Sequence, residues 1–233
     1  MPDALLMPRD TSSTSVPVSG HSLSVRDDLC YRRIGEDFVF LCLRTDRYFL
    51  LRGSAGERFE RFLVGDSDPA DIAWLVERQL VSHTADHAGF ISRPFPLPRS
   101  SLLDTPMPRA GLGLTSRVLA AQFRARHELR ERSLGAIVND LDRFGDATAV
   151  AESDIGLALA SAFLRARRYV SAIDQCLVRG LAMKRMAMRQ KLDARLVIGV
   201  TMPFSAHCWV QVGEIILTDP LDMVRPFQPI LAV

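Results

Sequence analysis

Apolar residues change their spacing several times along the chain, and each change marks an element. The runs DFVFLCL and RYFLL, separated by RTD, are β-prone segments and predict a hairpin. In SAGERFERFLVG, Phe59, Phe62 and Leu63 fall at helical spacing and Gly65 supplies a stop. DPADIAWLVERQL predicts a second helix with Asp68 as N-cap and Pro69 at its first position. Residues 114–144 read as two helices broken near Arg132 to Gly135. SDIGLALASAFLRARRYV reads as another, capped by Ser153, with Ile155, Leu159, Ala162, Phe163 and Ala166 in one stripe. Residues 176–191 continue helical. The period then drops to two, and ARLVIGV, AHCWVQV and EIILTD predict strands. Helices followed by a small antiparallel sheet make the second half α+β.

This order divides the chain. Residues 1–20, rich in Pro, Ser and Thr, are expected to be mobile. A hairpin and two short helices within residues 21–92 look like a small winged-helix (PqqD-like) domain. Five prolines between 93 and 109 cannot sustain a helix or a central strand, so residues 93–110 read as a linker. Residues 111–233 form the second domain. A length of 233 residues fits one large or two small domains, and 48% hydrophobic with 24% charged residues is ordinary for a protein with a real core. The net charge of +2 gives no argument for nucleic acid or membrane as the main partner. No run approaches the roughly 18 apolar residues of a membrane span, and MPDALLMPRD lacks the pattern of a signal peptide. Cysteines 30, 42, 176 and 208 form no CxxC pair, which reads most simply as reduced thiols in a cytoplasmic protein.

The stretch PFSAHCWVQVGEIILTDP puts His207 beside Cys208 and an aspartate, Asp219, twelve positions after the histidine. These are the residue types of a cysteine-protease triad. On a strand, neighbours point to opposite faces, so if His207 faces an active site with Trp209, Cys208 faces away. Cys30 and Cys42 belong to the N-terminal half, which leaves Cys176. It opens a helix in SAIDQCLVRGLAMKRMAM, with Ser171 and Asp174 as capping candidates just ahead. A thiol in the first helical turn feels oriented N–H groups, and with a nearby imidazolium its pKa can fall from about 8.5 to roughly 3.5–7.5. The thiolate is the attacking species of a nucleophilic cysteine. Taken singly, each of these residues has an ordinary structural explanation; the ordered set carries the catalytic reading.

QCLVRGLAM, ARLVIGV, PFSAHCWVQV and ILTDP resemble the transglutaminase-like cysteine protease of lasso-peptide biosynthesis, the B protein, over residues 154–233. The resemblance implies a papain-like architecture with Cys176, His207 and Asp219 as the triad. Two positions depart from the family's usual pattern: Cys208 follows the histidine, and Gln211 stands where glutamate is frequent. The N-terminal half resembles the leader-recognition element fused to B proteins in one branch of that family. Such a protein would bind the leader of a ribosomally made precursor peptide and cut it at the leader–core junction. An asparagine-synthetase-like partner, using ATP, would then close a macrolactam; this chain itself would hold no cofactor or metal.

Leader binding is expected by strand addition to the edge strand Arg47, Tyr48, Phe49, Leu50 and Leu51, with Ile72, Leu75 and Val76 of the following helix forming a groove. The Cys176 N–H is the first candidate oxyanion donor and the Gln175 side chain the second. Two rival readings remain open: a binding-only chaperone with a decayed catalytic half, and acyl transfer to an amine on the same triad. For His207 to lie opposite Asp219 on paired strands, Gln211 must pair with Ile215 around an odd-length loop, Val212 to Glu214. A two-residue turn at Gly213-Glu214 would set Asp219 opposite Cys208. Lys184, Arg185, Arg189 and Lys191 read as a solvated basic helix end. His83 and His87, four apart, fall in a strand-and-turn stretch unsuited to a metal site, and Met183, Met186 and Met188 read as helix packing.

Overall fold

The computed structural model describes residues 16–18, 21–83, 96–142, 154–170 and 175–233. The expected caps Ser153, Ser171 and Asp174, and His87, lie outside these. The N-terminal half runs β1 (Val16–Val18), β2 (His21–Val25), β3 (Leu29–Ile34), β4 (Asp37–Cys42), β5 (Arg47–Leu51), α1 (Ser54–Val64), α2 (Pro69–Glu77) and β6 (Val81–His83). Its strands form two antiparallel sheets, β1–β2–β6 and β3–β4–β5. β1 falls inside the segment expected to be mobile: Val16–Val18 pairs with β2, because its Val-Pro-Val run is β-competent at a sheet edge.

β4 explains why DFVFLCL is continuously apolar and does not alternate. Both of its faces are buried. Phe38, Phe40 and Cys42 point into a core with Phe59 and Phe62 of α1 and Leu75 of α2. Rings meet edge to face there, with Phe38 and Phe59 5.1 Å apart and Phe40 and Phe59 4.9 Å apart. Val39, Leu41 and the following Leu43 point the other way, into a core shared with the C-terminal half. α1 ends at Gly65, whose φ of 78° is left-handed. α2 begins at Asp68, whose carboxylate accepts the Asp71 N–H at 2.7 Å, with Pro69 next.

The proline-rich stretch holds β7 (Ser100–Ser101) and a 3-10 turn, Leu102–Asp104. The C-terminal half continues with α3 (Leu112–Glu131), α4 (Leu134–Asp142), α5 (Asp154–Ala166), α6 (Cys176–Arg189), β8 (Ala194–Thr201), β9 (Ser205–Val212), β10 (Ile215–Ile216), α7 (Leu221–Val224) and β11 (Gln228–Ala232). The sheet order is β11–β8–β9–β10–β7, antiparallel except for the parallel β10–β7 edge. The linker stretch therefore adds a short edge strand, and the expected strand EIILTD shortens to two residues. β11 carries Pro229 next to a register shift on an edge strand, where a missing N–H costs no central ladder bond.

α6 lies on the sheet face made by Leu196, Ile198, Cys208 and Val210. Gly180 permits this approach: a Cβ there would meet Leu196 Cδ1 at 2.7 Å and Cys208 Sγ at 2.9 Å. The opposite face carries Val197, Trp209, Ile216, Val224 and Ala232. The basic helix end is not a solvated face throughout. Lys184 is buried and donates to the Ala194 carbonyl at 2.7 Å, and Arg185 pairs with Glu128, because the helix packs on both β8 and α3. Met183 is fully buried in the core.

Gly180→Ala is expected to overpack the α6–sheet interface and cost about 1–3 kcal/mol. Gly113→Ala, on an exposed helical turn with no atom near the new methyl, is expected to stabilise by about 0.5–1 kcal/mol. Urea unfolding of both variants checks the contrast; equal effects would count against the close approach.

Candidate active site

Cys176 is the first residue of α6, with Gln175 at the N-cap position and no side-chain capping bond. First-turn N–H groups have no partner inside their helix, and the Leu177 N–H helps to lower the Cys176 pKa. On β9, His207 and Trp209 share a face, their rings stacked 6.4 Å apart, with the Phe227 ring 5.3 Å from His207. Gly199 pairs with His207 across β8 and leaves room for this stack: a Cβ there would lie 2.7 Å from the Trp209 ring. Cys208 points to the opposite face, its sulfur against Gly180.

The Cys208 backbone nevertheless belongs to the site. Val210 turns both its N–H and its carbonyl to the β10 edge of β9, to the Thr218 hydroxyl and the Leu217 N–H. Two residues earlier, Cys208 turns its N–H to the same edge. β10 has ended there, and that N–H helps to lower the Cys176 pKa. The thiol thus lies near the end of the β9–β10 pairing, where the His207 ring also lowers its pKa.

The register differs from the expectation. Ile215 pairs with Val212 and Ile216 with Gln211, around a two-residue turn. Gly213 takes a φ of 54° at the first central position, as type II′ turns require. Continued, this ladder would set Asp219 opposite Cys208. It does not continue: after Leu217 the Thr218 hydroxyl, and not a backbone carbonyl, takes the Val210 N–H at 3.0 Å. The chain leaves the sheet at Thr218, and the Asp219 side chain reaches His207, Oδ2 to Nε2 3.6 Å.

Asp219 is fully buried. Its Oδ1 accepts from Arg179 at 2.7 Å and from Arg167 at 3.0 Å. Its carbonyl accepts from Ser101 Oγ at 2.7 Å, so the proline-rich stretch braces the site. Burial alone would raise the Asp219 pKa; His207, Arg179 and the Thr218 hydroxyl hold it down to about 2. Burial pulls His207 down, but Asp219 and Cys176 outweigh it and raise it to about 9. For Cys176, burial pushes up, while His207 and the N–H groups of Cys208 and Leu177 bring the thiol below its usual value. A thiol shifted down beside an imidazole shifted up has the signs that a thiolate–imidazolium pair would show.

Residues 117–232 match the family described as the transglutaminase-like superfamily. This half is a transglutaminase-like domain. A curated relative, the microcin J25-processing protein McjB of Escherichia coli, is 45% identical over 51 residues, 22% of this chain and 24% of that protein. The chain therefore matches about a quarter of the relative's length. No solved structure matches it.

A cavity of about 270 Å³ opens beside Cys176 and His207 of the transglutaminase-like domain. Its walls come from both halves of the chain: Leu41 and Tyr48 from β4 and β5, Leu134 from α4, Leu177 from α6, and Ile198 and Ala206 from β8 and β9. Asp46, between β4 and β5, accepts the Leu134 N–H at 2.9 Å and ties the hairpin to α4. Among the expected leader-binding residues, Tyr48 lines this cavity and its ring lies 5.2 Å from Phe204. Phe49 stacks on Phe40 at 4.8 Å, and Leu50 packs against the shared core. Leu51 and Leu75 are buried in the aromatic core with Phe40 and Phe59, so neither lines a groove; the reason is that Leu75 turns the apolar side of α2 into that core. Arg47 and Val76 are exposed, Ile72 is half-buried, and β5 is hydrogen-bonded to β4 alone, at the edge of its sheet.

Sequence reasoning missed Arg167, Arg179, Thr218 and Ser101. The one signal was Arg179, a charge inside the apolar run CLVRGLAM. Gln211, a departure from the resembled pattern, is buried and satisfied: it accepts from Trp209 Nε1 at 2.8 Å and donates to the Pro96 and Gly213 carbonyls at 2.8 and 2.7 Å. No group of metal-ligating side chains occurs among the described residues, and none of their helices is long and apolar enough to cross a membrane.

Iodoacetamide at pH 7 is expected to alkylate Cys176 far ahead of Cys30, whose thiol burial pushes up to about 12, and of Cys208, also raised by burial. His207→Ala should slow the Cys176 reaction at pH 6 by about tenfold or more. Peptide mass spectrometry reads both; Cys208 reacting first would reverse the assignment of the accessible thiolate.

Proposed function

We propose that this protein is the leader peptidase of a lasso-peptide pathway, cutting a ribosomally made precursor at its leader–core junction. The observation that carries the reading is a thiol at a helix N-terminus, an imidazole and a fully buried carboxylate meeting beside a cavity walled by both halves of the chain. The resemblance in the sequence and the partial match to a microcin J25-processing protein support the substrate class.

In this mechanism the Cys176 thiolate attacks the scissile carbonyl. The tetrahedral oxyanion is met by N–H groups at the start of α6 and on the β9 edge, the Cys176 and Cys208 amides. His207 donates its proton to the leaving amine, the new N-terminus of the core, and a thioester to the leader remains. His207 then takes a proton from water as it attacks, and the collapse releases the leader acid and Cys176. Asp219 holds the His207 tautomer and stabilises the imidazolium. Leader recognition falls to the open edge of β5, by strand addition. The freed core passes to an ATP-dependent, asparagine-synthetase-like macrolactam synthetase. The N-terminal half then has two tasks, since the same hairpin that offers β5 also walls the catalytic cavity.

Cys176→Ala is expected to abolish cleavage of a co-expressed precursor, and Cys208→Ala to keep most of it, as read by mass spectrometry. Free leader acid is the expected product; a leader–amine adduct would point to acyl transfer, and no product with Cys176 reactive would point to a binding-only protein. The rate should rise as Cys176 ionises below the ordinary thiol range and fall above pH about 9, as His207 loses the proton the leaving amine needs. A full-length Cys176→Ala chain should bind fluorescent leader by anisotropy, and Arg47→Glu should weaken it severalfold; unchanged affinity would take the β5 edge out of recognition.

A further inference from the structure

We propose that Arg179 is a positioning residue of the catalytic set, carried on the nucleophile's own helix to fix the Asp219 carboxylate against His207. The proposal rests on the reading of Cys176, His207 and Asp219 as that set. Arg179 lies three residues after Cys176, on the same side of α6. One rigid helix therefore sets both the thiol and the guanidinium. Arg179 is itself buried, its side chain 10% exposed, and its Nη2 meets Asp219 Oδ1 at 2.7 Å.

The two oxygens of Asp219 are treated unequally. Arg179 and Arg167 both bond Oδ1, and Arg167 is further anchored on the Thr218 carbonyl. Oδ2 has no hydrogen bond, and neither does His207 Nε2, 3.6 Å away. Neutralising a buried charge would be served equally well by sharing both oxygens. Clamping one from two sides stops rotation of the carboxylate and leaves the other aimed at the imidazole. Catalytic hydrogen bonds are commonly long before substrate binds and tighten afterwards, which suits a held, waiting oxygen. A buried ion pair is in addition a weak source of net stability, so stability alone is a poor account of two arginines on one atom. Among the described residues, the groups facing this carboxylate are Arg167 past α5, Arg179 on α6, His207 on β9 and Thr218 beside it.

The test follows alkylation of Cys176 by iodoacetamide against pH in the full-length protein, with Arg179→Met and Arg179→Lys variants. In the native chain the rate is expected to show an upper step near pH 9, where His207 would lose its proton. In Arg179→Met that step should move about one unit or more toward acid, because a misaligned Asp219 no longer supports the imidazolium. Leader cleavage should lose about tenfold or more in kcat, with KM within about twofold. Arg179→Lys, which keeps the charge on a different, non-planar head, should fall between. A folded Arg179→Met with a native upper step and kcat overturns the proposal. If Arg179→Met does not fold, Arg179→Lys decides: a shifted step supports the proposal and native values overturn it. The alkylation profile needs no substrate, so a protein that cleaves no leader refutes the proposed function without deciding this point.

Discussion

A carboxylate without access to water must be met by cations and donors, and in this protein that requirement falls on Asp219. Arg179 comes from the helix of Cys176, Arg167 from the end of α5, His207 from β9, and Ser101 from the proline-rich stretch. Leaving any one of several buried charges unmatched costs far more than an ordinary contact returns. Satisfying Asp219 therefore draws four separate parts of the chain to one point. The candidate site stands where they meet.

The second constraint is β4, a strand with no solvent face. One side completes the aromatic core under α1 and α2, and the other joins the core of the transglutaminase-like domain. The β4–β5 hairpin is consequently part of the cavity wall beside Cys176, through Leu41 and Tyr48. Under the proposed function, the edge that would take the leader and the pocket that would cut it share one hairpin.

Environment, more than sequence neighbourhood, sorts the cysteines. Cys208 is adjacent to His207 in sequence, yet its sulfur is packed against Gly180 and burial raises its pKa. Its backbone N–H, turned to the strand edge, still serves the Cys176 sulfur. One residue thus contributes its amide to the site and its side chain to the core, which strand alternation makes natural.

Most elements were legible in the sequence because their causes are local. Asp68-Pro69 starts α2, Gly65 ends α1, and the change from a period near 3.6 to two marks where helices give way to β8 and β9. Alternation also separated the side chains of His207 and Cys208. β3, β11 and the two-residue β7 escaped notice, since short edge strands draw their definition from the strands they join. The apolar stripe of α2 was visible, but not that Leu75 spends it on the aromatic core. The register of the β9–β10 turn was likewise beyond local rules. The two-residue turn at Gly213 would have turned Asp219 away from His207, had the ladder continued. What brings Asp219 back is the Thr218 hydroxyl capturing the Val210 N–H and two arginines from distant helices holding the carboxylate. The sequence by itself determined which residues could carry the chemistry and the elements that bear them. Only the tertiary structure decided where the carboxylate points, because the charges that orient it lie 40 and 52 positions away along the chain and meet it only once the helices have packed.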